Sequence, residues 1–301
     1  MKILITGGTG LVGKSLKKEL LKNGHQLVLM TRNPQQYPQE NNVTYQKWDS
    51  INDAFPLDAL EGVESIINLM GENLADKRWS DKQKEKLKSS RIIGTNKIVE
   101  ALNSSGHKLK CFVSASAIGI YPVNNDITID ESTKNGEGFL ANLCKDWELS
   151  ASKLKTASRQ VTIRIGVVLA RSGGALGKLI PLFKTGLGGP IGNGQQFMSW
   201  IHVSDLVSLI SKAIDDESFN GVYNGTTPKP VTNLEFTKAL AKAVHRPAFL
   251  PAPPFMLKLA MGEMSSIILD SQKVVSKRLE DNHFKFNFPD IDSALQDIMD
   301  N

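Results

Sequence analysis

A strand that ends in glycines at residue 7 constrains this chain more than any other feature. "ILITGGTGLVGKSL" runs from a short apolar strand into a helix whose apolar residues Val12, Leu16 and Leu20 recur every four, and it spaces glycines at 7, 10 and 13. Gly7 permits the tight turn, Gly10 lets the backbone approach a pyrophosphate, and Gly13 lets helix and strand pack closely. Thr9, Leu11 and Val12 complete the turn and the first helical positions. The unpaired N–H groups there face the place an anion would occupy. The spacing predicts dinucleotide binding.

The rest of the first 170 residues repeats the pattern. "QLVLM" (26–30), "SIINLM" (65–70), "CFVSAS" (111–116) and "VTIRIGVVL" (161–169) read as strands buried on both faces, with a helical stripe from Leu87 to Leu102 between two of them. Alternating β and α units predict an α/β fold, a Rossmann-type doubly wound parallel sheet. The expected core spans 1–170, with a further strand and helix returning from about 198–228; residues 171–301 form a smaller substrate or lid region, ending in a small domain at about 248–301. The segment 173–194 carries eight glycines, too many for a helix or strand interior. Thr232 and Glu235 fit a capping box, and Pro247 is expected to stop that helix.

Composition narrows the function. Among 301 residues there are two cysteines, Cys111 and Cys144, and five scattered histidines, so neither a disulfide framework nor a metal site is expected. No apolar run approaches the length of a membrane span. The start "MKILITGG" is unlike a signal peptide, which points to the reducing cytoplasm. A net charge of +5 suits an anionic cofactor as well as nucleic acid. The basic run 82–91 is broken by acids and has no aromatic platform, so a small-molecule substrate is expected, with neither nucleic acid nor membrane as partner. A homodimer is left open.

The second strand ends in Thr31 and Arg32, where an NAD site would place an acid for the ribose hydroxyls. An arginine pairs instead with a 2′-phosphate, so NADP(H) is the expected cofactor. These motifs, with "NLMGEN" (68–73), "SASAIGIY" (114–121), "MGENLADKRWS" and the long glycine-rich stretch ending in "SWIHVSDL", resemble the short-chain dehydrogenase/reductase superfamily. The similarity is to its extended, atypical "epimerase family protein" branch, which ends in a small domain of unknown function, and it covers essentially the whole chain. The resemblance implies that Leu69, Met70 and Gly71 pack beside the nicotinamide ribose. Asp49 is a weaker candidate for the adenine amino group, with turn initiation an equal alternative. Arg91 stands where the superfamily has asparagine and is expected to reach cofactor phosphates or an anionic substrate.

The reaction end departs from the family. Relatives pair a tyrosine with a lysine four residues on, whose charge eases proton transfer. None of Tyr37, Tyr45, Tyr121 and Tyr223 has such a lysine, and alignment on Glu148 puts Leu140 and Cys144 in the two slots. Lys145 lies one residue late, about 100° around a helix. Ser116 and Tyr121, just past the fifth strand, are the catalytic candidates, with loop or core packing the alternative. Arg78, Trp79, Glu148, Gln195, Trp200 and His202 are candidate substrate contacts, with core packing the alternative for the tryptophans, a structural role for His202 and helix anchoring for Glu148. An NADP(H)-dependent oxidoreductase or epimerase-like enzyme is the leading expectation. The alternative is a non-catalytic NADP(H)-binding protein that presents a partner surface through its Met-rich segment 254–269.

Overall fold

β1 (Lys2–Thr6) lies in the middle of a seven-stranded sheet with β2 (Gln26–Thr31), β3 (Val43–Lys47), β4 (Ser65–Asn68), β5 (Leu109–Ala117), β6 (Ala157–Ile165) and β7 (Gly221–Gly225). The order is β3-β2-β1-β4-β5-β6-β7, and every neighbouring pair is parallel. The computed structural model describes residues 1–171 and 173–300, and the side chains of all of these except 125 and 126. The order reverses between β1 and β4, and there the loops at the strands' carboxyl ends diverge into a crevice.

Helices cover both faces because β1 is apolar on both. Ile3 and Ile5 face one side, where Leu16 and Leu20 of α1 (Leu11–Lys22) pack with Leu206, Leu209 and Ile210 of a later helix, Val203–Asp215. Leu4 faces the other side, with Val28, Ile66 and Phe112 against Ile98, Val99 and Leu102 of α2 (Asp81–Ser105). Each such side chain, fully buried, contributes about 1.5–3 kcal/mol. α3 (Phe139–Ser152) lies beside α2 on the same layer.

Two expectations need correction. The run 161–169 is not one strand: β6 stops at Ile165, and Val167–Leu169 pairs instead with Trp200–His202. Gly166 marks the break, since a Cβ there would lie 2.7 Å from the Ser199 carbonyl oxygen. The glycine-rich segment, for its part, contains a helix, α4 (Gly174–Lys184), with Pro181 inside it. Its glycines lie mostly at the ends and beyond, while Leu176, Leu179, Ile180 and Phe183 keep helical spacing and pack on Trp200, Phe236 and Leu240. Apolar periodicity outweighed glycine content. The capping box at Thr232 and Glu235 opens the helix Asn233–Ala243, which ends before Pro247, with His245 at a positive φ of 54°. Further on, Gln272–Val274 pairs with Asn124–Ile129, tying the C-terminal region to the loop after β5.

Candidate cofactor and substrate site

The glycine turn is shaped by backbone contacts on all but one side. Gly7 has a φ of +71°, and a Cβ on it would lie 2.6 Å from the Leu69 carbonyl oxygen. A Cβ on Gly13 would collide with the Gly7 carbonyl oxygen and lie 2.5 Å from the Gly8 Cα. Gly10 is different: only the Gly7 oxygen comes near, at 3.3 Å, and the residue is exposed. No side chain caps α1, and its first turn holds no acid, so its leading N–H groups stay open to an anion. This cradle fits a pyrophosphate.

The partners expected around the turn fall near it. Leu69 donates its N–H to the Thr6 carbonyl at 3.1 Å, which holds the 69–71 loop against Gly7. Beneath, Thr6 donates to Asn68 at 2.7 Å and Asn68 donates to Thr95 at 2.9 Å, a buried tie that fixes β1, β4 and α2 at the crevice. Thr31 closes β2, and Arg32 is exposed at its end. Leu11 touches the start of α4, where Cβ atoms on Gly173 and Gly174 would lie 3.4 and 3.2 Å from its methyl groups. Asp49 takes the turn role: its Oδ1 accepts from the Ile51 and Asn52 N–H groups, and those bonds hold its carboxyl below the usual range.

Arg91 is buried, with its guanidinium 2.9 Å from a Cβ on Gly71 and 5.1 Å over the Trp147 ring. It donates to the Leu87 and Glu72 carbonyls at 3.1 and 3.0 Å, and among the described residues no carboxylate forms an ion pair with it. Two of five N–H donors are therefore engaged by these bonds. Desolvation pulls its pKa down, the cost of a buried cation without a counter-ion.

The reaction end is closed. Ser116, Arg164 and Asn224 stand in one register row across β5, β6 and β7. Ser116 donates to Glu148 Oε1 at 2.6 Å; Arg164 grips the same carboxylate twice, Nε at 2.8 Å and Nη2 at 2.9 Å. Arg164 Nη1 also donates to the Tyr121 hydroxyl at 2.8 Å, and that hydroxyl donates to Asn224 Oδ1 at 2.8 Å. Asn224 in turn donates to the Val275 carbonyl at 2.9 Å. The network locks three strands, α3 and the C-terminal region together. Burial raises the Tyr121 pKa further despite the arginine beside it.

The other expected contacts are placed as follows. Tyr121 and Ser116 are buried and their hydroxyl protons engaged, so neither stands ready as an acid. Glu148 is ion-paired with Arg164. Trp200 is fully buried in the C-terminal core. Trp79 is buried too: its indole donates to the Leu74 carbonyl at 2.9 Å, and its ring meets Phe139 edge-on at 5.1 Å. His202 caps the helix Val203–Asp215 through Ser204 and packs on Phe288, and burial lowers its pKa. Arg78 and Gln195 are exposed, Arg78 against Gly262 and Gln195 in a turn closed by Asn193.

The two substituted slots are filled. Leu140 packs on Gly119 and the Trp79 cluster. Cys144 is buried with Ile120, Tyr121 and Val274, and burial pushes its thiol up to about 11, which leaves it inert. Lys145 reaches Asn142. Arg164, Asn224 and Thr95 were missed from sequence. For Arg164 and Asn224 the available signal was a charged or amide residue inside a strand, which needs a buried partner.

Residues 3–224 match the model of the NAD dependent epimerase/dehydratase family, and residues 252–298 match a domain of unknown function, DUF1731. The chain is 36% identical over 310 residues to the chloroplastic SDR39U1 homolog of Arabidopsis thaliana, covering 99% of this chain and 87% of that one. It is 36% identical over 301 residues to Bacillus subtilis epimerase family protein YfhF, covering 99% and 98%. The crystal structure of human epimerase family protein SDR39U1 (isoform 2) with NADPH superposes with a TM-score of 0.88 at 31% identity, covering 100% of both chains. The seven-stranded Rossmann-type sheet, the glycine turn and these matches place the chain in the NAD dependent epimerase/dehydratase family.

Proposed function

We propose that the chain binds NADP(H) at the glycine turn and acts as an oxidoreductase or epimerase-like enzyme on a small, nucleotide-sugar-like substrate. The observation that carries this reading is the cradle at Gly7, Gly10 and Gly13. It is closed by backbone on the protein side and left open, with uncapped N–H groups, on the other. The NADPH in the human relative's structure supports the same cofactor, and Arg32 at the end of β2 supports its phosphorylated form.

Bound there, NADP(H) supplies a hydride donor or acceptor. Thr9, Leu11 and Val12 line the pyrophosphate side with Gly7, Gly10 and Gly13, while Thr31 and Arg32 hold the adenosine phosphate. Leu69, Met70 and Gly71 form the wall beside the nicotinamide ribose. Arg91, buried without a carboxylate, offers its remaining N–H donors to an anionic oxygen beside Gly71. The buried Ser116–Glu148–Arg164–Tyr121 network holds the floor of the crevice rigid rather than moving a proton.

A second reading, a non-catalytic NADP(H)-binding protein, is favoured by one observation: the tyrosine and lysine slots hold packed Leu140 and Cys144. Fluorescence titration tests the cofactor, with NADPH expected to bind more tightly than NADH; equal or reversed affinities overturn the Arg32 assignment. Following NADPH absorbance across carbonyl and nucleotide-sugar substrates separates the two readings. Turnover selects the enzyme, and binding without turnover across the set selects the second reading.

A further inference from the structure

Far from the glycine turn in sequence, the chain exposes a patch that neither the cofactor nor the fold accounts for. The short helix α5 (Pro254–Met261) carries the sequence "PFMLKLAM" and buries none of its residues. Phe255 is 70% exposed, Met256 55% and Leu259 77%, and the preceding loop adds Phe249 at 71%. Leu250 and Leu187 are exposed as well, and Gly189 abuts the Leu250 backbone. These residues are neighbours in space: Ile191 bridges to Ala252, the Ala252 N–H donates to the Pro190 carbonyl at 2.8 Å, and Gly192 abuts Pro254. Exposed apolar surface that continuous marks a site of contact.

Within its two segments the charges are of one sign. Segments 173–191 and 244–262 contain no aspartate or glutamate, yet hold Lys178, Lys184, Arg246 and Lys258. Arg246 donates to the Lys184 carbonyl at 3.3 Å, so these two cations sit together at the rim. Outside the segments, Asp76 lies 4.0 Å from Lys178, Glu263 is held by Lys84, and Asp270 feels the charge of Lys258.

From this we infer that the face formed by residues 182–187 and 246–259 docks peripherally on an anionic lipid bilayer. The apolar side chains would enter the acyl boundary, and Lys184, Arg246 and Lys258 would meet lipid phosphates. Among the described residues no helix is long or apolar enough to cross a membrane, so the contact is one of surface. Two other occupants fit less well. A two-fold contact between copies would set the same cations against themselves. A helix from a partner protein needs a groove, whereas side chains exposed by 70% or more protrude. A bilayer accepts protruding apolar groups and rewards a cationic rim.

The test is co-sedimentation of the full chain with vesicles of phosphatidylglycerol and phosphatidylcholine in equal parts, against phosphatidylcholine alone. Binding is expected only to the anionic vesicles and weakens with salt. Lys184→Gln, Arg246→Gln and Lys258→Gln should each lower the partition about fivefold. The double variant Phe255→Glu/Leu259→Glu should lower it at least about tenfold, with its thermal midpoint unchanged because neither side chain is buried. Failure to bind the anionic vesicles overturns the proposal. So does binding that the double variant retains, or a concentration-dependent dimer that the double variant dissociates, which would assign the face to a second copy.

Discussion

The two ends of the crevice treat their polar groups in opposite ways. At the glycine turn, backbone packing fixes the shape while the N–H groups that start α1 stay unengaged. At the reaction end, Ser116, Glu148, Arg164, Tyr121 and Asn224 satisfy one another in a buried network. A binding surface needs free donors, and a framework needs satisfied ones. By that criterion the turn reads as a ligand site and the row across β5, β6 and β7 as a brace. Arg91, against Gly71, is only partly engaged through its two carbonyl contacts.

The largest expected effect tests the brace. Arg164→Met removes the cation from a buried bidentate pair, leaving the Glu148 carboxylate without its partner and Tyr121 without a donor. Loss of one partner from such a pair costs about 3–5 kcal/mol. Urea unfolding of the variant should show a loss of that size. A loss below about 1 kcal/mol, on the scale of an exposed pair, would mean the network is loosely held and its groups remain available for chemistry.

Next comes a contrast within the turn. Gly13→Ala drives a methyl into the backbone of Gly7 and Gly8, so α1 must shift, at a cost of about 1–3 kcal/mol in stability. Gly10→Ala meets only the Gly7 oxygen at 3.3 Å and should change stability little. Its methyl nevertheless stands on the open side, so NADPH affinity should fall roughly tenfold or more, about 1.4 kcal/mol. Stability from denaturant melts and affinity from nucleotide fluorescence separate the two. NADPH binding by Gly10→Ala at the parent affinity would move the cofactor away from this turn.

How much of this was legible in sequence follows the same division. The turn is local: the glycines at 7, 10 and 13, between a strand and a helix, state their geometry without reference to the rest of the chain. The brace is not local. Arg164 looks like an interruption of an apolar run, and its partners lie 16, 43 and 60 residues away at Glu148, Tyr121 and Asn224. Trp79 and Trp200 stay ambiguous in sequence for a related reason: recognition and core packing draw on the same large side chains, and only burial tells them apart. α4 was hidden because glycines near its start and beyond its end masked a sound apolar stripe.

Arg32 gives a smaller effect, confined to the cofactor. Arg32→Ala touches no buried contact, since the residue is exposed at the end of β2, so the fold should be unaffected. A hydrogen bond to a charged group contributes about 1.5–3 kcal/mol, so NADPH affinity should fall between about tenfold and a hundredfold. NADH, which lacks the 2′-phosphate, should bind as before. Equal losses for both nucleotides would show that Arg32 supports the loop and does not read the phosphate.

The smallest effect concerns pH and two buried histidines that lie outside both ends of the crevice. His202 and His25 are both buried, and desolvation lowers each pKa below its ordinary value near 6.5. His202 Nε2 lies 3.4 Å from the Asp297 carboxylate, a contact that favours the proton but does not offset the burial. Below about pH 6.5 the unfolded chain takes up protons that the folded chain still refuses, so stability falls as pH drops through that value and levels off above it. His202→Asn should flatten part of this slope, leaving the share due to His25. Thermal midpoints measured from pH 7.5 down to 5.5 (roughly one unit either side of the free histidine value) check the direction. A midpoint that rises on acidification would mean His202 is charged in the fold through Asp297. The histidine would then be a proton-bearing group beside a carboxylate.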